Sequence, residues 1–201
     1  MAYIDEEIAK ILRKERMKEQ EEELLQEEQE ADDAVDEDEI IEGIRNGKCV
    51  LWDRIFEFAH YTILDGRAEI YLPSEEINIQ KDETTFFQSL NNEVGFSSSI
   101  VLSDIMEEFS PLSVYKDNIV KNMRKTGMKF KWQEEGSLFS GKGKIQYLDF
   151  ISMSGLGAIH NSMWFVMTPY GRLQTTLNYD HEEHKYWKHL MRGLMKLFEI
   201  K

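Results

Sequence analysis

Acidic side chains are distributed very unevenly along this chain of 201 residues. Residues 19–42 hold fourteen Asp or Glu and no Lys or Arg. Residues 1–46 carry 18 acids and 6 bases, whereas the remaining residues carry 20 acids and 18 bases, so almost all of the net charge of −14 lies at the N-terminus. Like charges at this density favour a solvated segment over a packed one. The sequence therefore predicts an acidic helical extension and tether over residues 1–46 and a globular domain over residues 47–201.

The predicted domain has the length and the aromatic content of one folded unit. About 150 residues can bury a sizeable core, and all four tryptophans follow residue 48. Cys49 is the single cysteine, which excludes an internal disulfide framework and a zinc site built from cysteines. A reducing compartment, the cytoplasm, is therefore expected. The N-terminus has no basic region followed by an apolar run, so no secretory signal is predicted.

The charge balance and the apolar runs also limit the partners. An acidic surface repels nucleic acid and anionic lipid, so neither is expected to bind. The apolar runs are only a few residues long, far short of the ~20 residues that cross a bilayer. A protein partner is the remaining expectation.

Apolar periodicity predicts a mixed fold. Period-two alternation predicts strands over residues 68–73, 96–102, 128–132, 144–153, 161–168 and 172–179. Helix is predicted over residues 49–63, with a strand over residues 58–64 as the alternative for the end of that segment. Helix is also predicted over one or two turns within 84–90 and from Ser110-Pro111 to Gly127. Asp180 is predicted to cap a final helix whose apolar stripe is Trp187, Leu190, Met191, Leu194 and Phe198. These elements predict an α+β fold in which an antiparallel sheet packs against helices.

Three stretches carry a resemblance to a known fold family. They are an opening strand that ends in Leu-Pro (Ala68–Pro73), a mid-chain helix over residues 111–126 that leads into a strand meander, and a closing helix with Trp187 and Phe198. Residues 64–201 thereby resemble the PsbP-like fold, whose members include an extrinsic photosystem II subunit, a Ran-binding nuclear import factor and bacterial adaptor chaperones for type VI secretion effectors. The resemblance implies non-enzymatic binding and supplies no catalytic residues. The acidic extension has no counterpart in the family pattern.

One stretch is close to a phosphate-binding loop. Residues 136–143 place glycines and Lys142 almost as that motif requires, but Gly143 occupies the position of the Ser or Thr that binds magnesium. A strand is predicted to follow, whereas the motif needs a helix whose N-terminal amides meet the phosphate. A Gly-rich hairpin is the favoured interpretation, and no cofactor is predicted.

Three histidines form a cluster that is reminiscent of a metal site. His181 and His184 can share one face of the final helix, whereas His189 lies about 140° around the helix from His184. A two-ligand site completed by another segment would suit several metals, and a small metal-dependent enzyme that uses His181 and His184 is one alternative. The other interpretation is an exposed first turn in which Glu182 and Glu183 favour the helix dipole.

An apolar stripe near the N-terminus is the main candidate for a partner contact. Ile4, Ile8, Ile11 and Leu12 follow helical spacing, and such a helix can dock into a groove on a partner. The same stripe can pack on its own domain or on a twin chain, which leaves homo-oligomerisation open. The predicted function is a non-enzymatic protein-binding or adaptor module whose negative field selects basic partners. A chaperone or adaptor for a secreted effector is the narrower alternative that the PsbP-like resemblance suggests.

Overall fold

A computed structural model describes residues 35–74, 77–92, 95–104, 112–140, 143–154 and 157–201. Strands dominate this part of the chain. Its helices are α1 (Glu37–Arg45), α2 (Leu112–Thr126) and α3 (His184–Leu197), with a 3-10 turn (His181–Glu183) before α3. Its strands are β1 (Lys48–Leu51), β2 (Arg54–Ile63), β3 (Ala68–Pro73), β4 (Asn78–Glu83), β5 (Phe86–Asn91), β6 (Phe96–Ser103), β7 (Lys129–Ser140), β8 (Gly143–Ser154), β9 (Gly157–Thr168), β10 (Gly171–Asp180) and β11 (Glu199–Ile200).

The described strands build two antiparallel sheets. The small sheet has the order β1-β2-β3-β11, and the large sheet has the order β4-β5-β6-β10-β9-β8-β7. Strand β10 pairs with β6 on one side and β9 on the other, so its alternating residues 172–179 lie in the interior of the large sheet. The predicted α+β class is confirmed, with the sheets as its larger part.

Helix α3 packs between the two sheets through one large side chain. The ring of Trp187 is fully buried and lies 4.9 Å from Phe96 of the large sheet and 5.8 Å from Phe56 of the small sheet. The side chain of Asp180 accepts a hydrogen bond from the backbone N–H of Glu182, which caps the 3-10 turn that leads into α3. Asp180 thus caps the 3-10 turn, whereas the N-cap of α3 itself is Glu183, which makes no side-chain capping bond. The predicted stripe is confirmed, because it is buried throughout: Trp187, Leu190, Met191, Leu194 and Phe198.

Helix α2 covers part of the opposite face of the large sheet. Its buried residues Tyr115 and Ile119 pack against Leu148, Phe150 and Phe165. The ring centroids of Tyr115 and Phe165 lie 3.9 Å apart. In the half formed by β8 and β9, the large sheet is therefore apolar on both faces, which explains the long apolar runs in these strands.

Two segments predicted to be helical are strands. Residues 49–63 form the hairpin of β1 and β2, and residues 84–90 form a turn followed by most of β5. In the hairpin, burial alternates with period two, but the exposed side includes the apolar residues Val50 and Ile55. Apolar residues on both faces make a continuous run that sequence alone cannot distinguish from a buried helix.

Helix α1 packs closely against α3. Ile40 and Ile44 are buried, and a Cβ added at Gly193 would lie 2.8 Å from Cδ1 of Ile44 and 3.0 Å from Cγ2 of Ile40. Lys196 Nζ also lies 2.6 Å from a carboxylate oxygen of Glu37. The packed part of the chain thus includes residues ahead of the predicted boundary at 46/47, and the extension over residues 1–34 stays a prediction.

We expect Ile44→Val to lower the free energy of unfolding by about 1 kcal/mol, because it deletes one buried methyl group from the contact between α1 and α3. Urea unfolding followed by tryptophan fluorescence measures this. Ile41→Val removes the same methyl group from the half-buried neighbour and is the matched control. An equal effect of the two substitutions would show that Ile44 is not a core residue.

Candidate functional site

The predicted contact residues Ile4, Ile8, Ile11 and Leu12 lie outside the described residues, so their role stays a prediction. The described surface offers a different apolar candidate. Val50 of β1 and Ile55 of β2 are directly opposite one another in the hairpin register. They are 62% and 53% exposed, and Trp52 in the connecting turn is 42% exposed. We call these three residues the hairpin patch.

The hairpin patch lies at an edge of the small sheet. Strand β1 pairs with β2, and no other described strand pairs with it. Lys48 and Glu57, also directly opposite one another, are exposed and flank Val50 and Ile55. An apolar centre with a charged border is the usual composition of a protein-binding surface. Sequence reasoning missed this site because it interpreted residues 49–63 as one helix.

Contacts with α3 and the 3-10 turn before it hold the turn of the β1–β2 hairpin in place. The ring of Trp52 lies 5.5 Å from Tyr186 and 5.7 Å from His189. The hydroxyl of Tyr186 donates a hydrogen bond of 2.9 Å to Asp53, and this bond is the main cause of the lowered pKa of Asp53. Arg54 pairs with Glu183. A surface fixed in this way loses little conformational entropy when a partner binds.

A cluster of polar groups lies between α3 and the large sheet. Arg192 of α3 binds Glu134 of β7 at 2.6 and 2.7 Å, and Tyr147 of β8 donates to the same carboxylate at 2.8 Å. Asp149, the next inward residue of β8, has a buried Oδ1 without a hydrogen-bond partner among the described residues. Burial raises the pKa of Asp149 to about 6, against a hydrogen bond from Ser162 that lowers it.

Histidines extend this cluster toward the start of α3. His160 Nε2 lies 2.6 Å from His181 Nδ1, and the ring of His160 stacks on His184 with centroids 4.0 Å apart. Burial, followed by the nearby His184 and His181, lowers the pKa of His160 to about 3. His184 Nδ1 lies 3.1 Å from the hydroxyl of Tyr179. The imidazole of His160 is therefore buried, and it is stacked and hydrogen-bonded against the half-buried His184 and the exposed His181.

The histidine geometry does not assemble a metal site. His181 and His184 direct their Nδ1 atoms to different partners, His160 and Tyr179. Among the described residues, no group of three or more His, Cys, Asp or Glu is placed to hold a metal ion. The arrangement thus offers no support for the metal-dependent alternative that used His181 and His184.

The segment similar to a phosphate-binding loop is part of a hairpin. Gly136 pairs with Tyr147 and Ser140 with Gly143, so residues 136–140 and 143–147 lie in β7 and β8. The element after this turn is a strand and not a helix, as the favoured interpretation predicted.

Within the described residues, no helix is long and apolar enough to cross a bilayer.

No protein-family model matches this chain, and no curated protein matches its sequence. Among solved structures, it is similar to the cyanobacterial PsbP protein CyanoP of Synechocystis sp. PCC 6803, with 11% identity and a TM-score of 0.56 over 77% of this chain and 98% of CyanoP. The fold is PsbP-like. The resemblance predicted from residues 64–201 is thereby confirmed. At this identity, the PsbP-like assignment concerns the fold and not the function.

Two further solved structures have lower TM-scores to this chain with its PsbP-like fold. A putative regulator of unknown function, PA94 of Pseudomonas aeruginosa, has 16% identity and a TM-score of 0.39 over 69% of this chain and 94% of its own. The type VI secretion immunity protein TplEi of Pseudomonas aeruginosa, complexed with "L" peptide, has 13% identity and a TM-score of 0.43 over 76% of this chain and 74% of its own. With TM-scores below 0.5, neither bears on function here.

Proposed function

We propose that this chain is a non-enzymatic protein-binding module of the adaptor type. The hairpin patch is the observation that carries this proposal, because it combines three exposed large apolar side chains with a strand edge that no other described strand covers. The turn of this hairpin is held by α3 before any partner binds, so association requires little ordering. The predicted helix with Ile4, Ile8 and Ile11 is a second contact, and the acidic run selects basic partners. The narrower function of a chaperone for a secreted effector rests on the fold resemblance alone.

Substitution of the hairpin patch tests the proposal directly. We expect Val50→Ser with Ile55→Ser to reduce the recovery of bound partner proteins at least about tenfold, because truncating central apolar anchors costs 1–2 kcal/mol or more. Both side chains are more than half exposed, so unfolding should change by no more than about 0.5 kcal/mol. Affinity capture with quantitative mass spectrometry from cells that express the full chain measures the recovery.

Val114→Ser is the matched control, since Val114 is 44% exposed on α2. The full chain with Ile8→Ser and Ile11→Ser tests the N-terminal contact separately. Any N-terminally truncated variant should retain residue 35 and all residues after it. Removal of α1 would take away Ile40 and Ile44, which are buried against α3. Equal partner recovery by the wild type, the double hairpin variant and the control would contradict the proposed function.

A further inference from the structure

An apolar cavity lies beside the last strand of the small sheet. Its volume is about 250 Å³, which is smaller than the roughly 300–1,000 Å³ of pockets that take drug-sized ligands. Such a space suits a single large apolar side chain better than a cofactor. Ser140 and Lys201 contribute polar groups to its wall, and the apolar residues in the wall are Ile145, Val166, Met167, Pro169, Phe198 and Ile200.

The backbone next to this cavity has an unpaired edge. Strand β11 pairs with β3 on one side, and no described strand pairs with it on the other. Residues of an antiparallel pair alternate between hydrogen-bonded and non-hydrogen-bonded positions. Lys201 N–H donates to the carbonyl of Arg67, so Ile200, the residue before it, is in a non-hydrogen-bonded position opposite Ala68. The N–H and C=O of Ile200 therefore point away from β3. The side chain of Ile200 lines the cavity, which places the free backbone groups and the apolar space side by side.

The charges at this edge favour a basic partner. Lys201 Nζ lies 2.9 Å from Glu69 and 3.4 Å from Glu199, so two carboxylates surround one ammonium group. The side chain of Glu199 is 58% exposed and can accept a further cation. An incoming segment gains from a Lys or Arg near Glu199 and from an apolar side chain at the cavity.

We propose that β11 and the adjacent cavity bind an extended peptide segment of a protein partner. The segment forms backbone hydrogen bonds with Ile200, places one large apolar side chain in the cavity and presents a basic side chain to Glu199. Addition of a strand to a free sheet edge provides affinity through the main chain, and the cavity provides selectivity for the side chain. This site is separate from the hairpin patch, which lies at the other edge of the small sheet.

Fluorescence anisotropy with defined peptides tests this inference. The probes are fluorescein-labelled octapeptides of alternating Thr and Lys that carry Leu, Phe, Ala or Asp at one central position. We expect the Leu and Phe peptides to bind the full chain at least about tenfold more tightly than the Ala and Asp peptides, because only the larger apolar side chains fill the cavity. N-methylation of the backbone beside the central Leu should weaken its binding by about tenfold as well, since it removes a main-chain donor.

Gly143 offers a way to close the cavity without unfolding the protein. A Cβ added there would lie 3.4 Å from Cγ1 of Val166 and 3.8 Å from Cδ1 of Ile200, which are ordinary contacts with the cavity wall. We expect Gly143→Val to weaken the Leu peptide about tenfold and to retain the thermal transition of the wild type. Met167→Trp is a second blocking variant, and Ser137→Val, on the exposed side of β7, is the matched control that should bind normally.

Several outcomes would overturn the inference. They are equal binding of the Leu and Ala peptides, no measurable binding of either apolar peptide, and wild-type binding by both blocking variants. Unchanged binding after N-methylation would contradict the proposed backbone hydrogen bonds between the peptide and Ile200. The Val50→Ser and Ile55→Ser variant should bind these peptides normally, so a failure here and a failure of the proposed function are distinguishable.

Discussion

Replacement of Gly171 by alanine is expected to unfold a large fraction of this protein at physiological temperature. Gly171 starts β10 with φ of +131°, a conformation that side chains rarely adopt. A Cβ added there would collide with the backbone carbonyl oxygen of Ser103 in β6. Both strands lie inside the large sheet, so neither backbone can move without breaking its ladder. We expect a loss of more than about 4 kcal/mol, a large part of the usual stability of 5–15 kcal/mol.

Gly157 supplies a closely matched control. Its φ of +137° is nearly that of Gly171, but a Cβ added there would meet no atom within 4 Å. Gly157→Ala should therefore show only the cost of the backbone conformation, about 1–2 kcal/mol. Urea unfolding of the two variants, monitored by tryptophan fluorescence, separates the collision from the conformational strain. Equal losses in both variants would show that the contact with Ser103 relaxes at no cost.

Asp149→Asn is expected to stabilise the protein by up to about 3 kcal/mol at a pH well above 6. Burial raises the pKa of Asp149 in the folded state to about 6, from an ordinary value of 3.8. A carboxyl with a raised pKa in the folded state favours folding below its ordinary pKa and loses that contribution as the pH rises through about 6. Asparagine removes the charge and keeps the shape, so its benefit should vanish below the ordinary pKa. Glu134, Arg192 and Tyr179 face this carboxyl from β7, α3 and β10.

His160 should have the opposite pH dependence. Its pKa falls from 6.5 to about 3 in the folded state, so folding loses stability as the pH falls from 6.5 toward 3. Between about pH 4 and 6 the contributions of Asp149 and His160 have opposite signs and nearly cancel. The two groups together should consequently add little net pH dependence to the wild-type stability over this range, although each group alone contributes more than about 1 kcal/mol per pH unit.

Single substitutions should reveal the opposite pH dependences that Asp149 and His160 give to the free energy of unfolding. Relative to the wild type, acidification from pH 6 to 4 should destabilise Asp149→Asn and stabilise His160→Phe, and the double variant should follow the wild type. Chemical unfolding at several pH values measures all four proteins. Parallel pH profiles for the two single variants would show that the buried cluster does not titrate in this way.

Local patterns were sufficient for much of the fold. The alternation in residues 172–179 predicted a strand, because one face of each strand meets the core and the other does not. Asp180 and the stripe from Trp187 to Phe198 predicted the capped final helix, because capping and helical periodicity act within a few residues. The order of these elements was enough to indicate a PsbP-like arrangement.

The candidate site depended on information that local patterns do not contain. Residues 49–63 are apolar on both faces of a hairpin, so their spacing favoured a helix, and the exposure of Val50 and Ile55 became visible only in the sheet. His181 and His184 looked like ligands on one helix face, yet their partners, His160 and Tyr179, come from neighbouring strands.

The sequence by itself determined the segregation of charge, the α+β class, the position of most strands and the start of the final helix. Each of these follows from composition or from contacts between residues close in the chain. The tertiary structure alone decided the packing of α1 on α3, the edges of β1 and β11 that no other described strand pairs with, and the raised pKa of Asp149. These features depend on which segments that are distant in the chain pack together. That packing determines which side chains are exposed, which strands pair and which ionisable groups are buried.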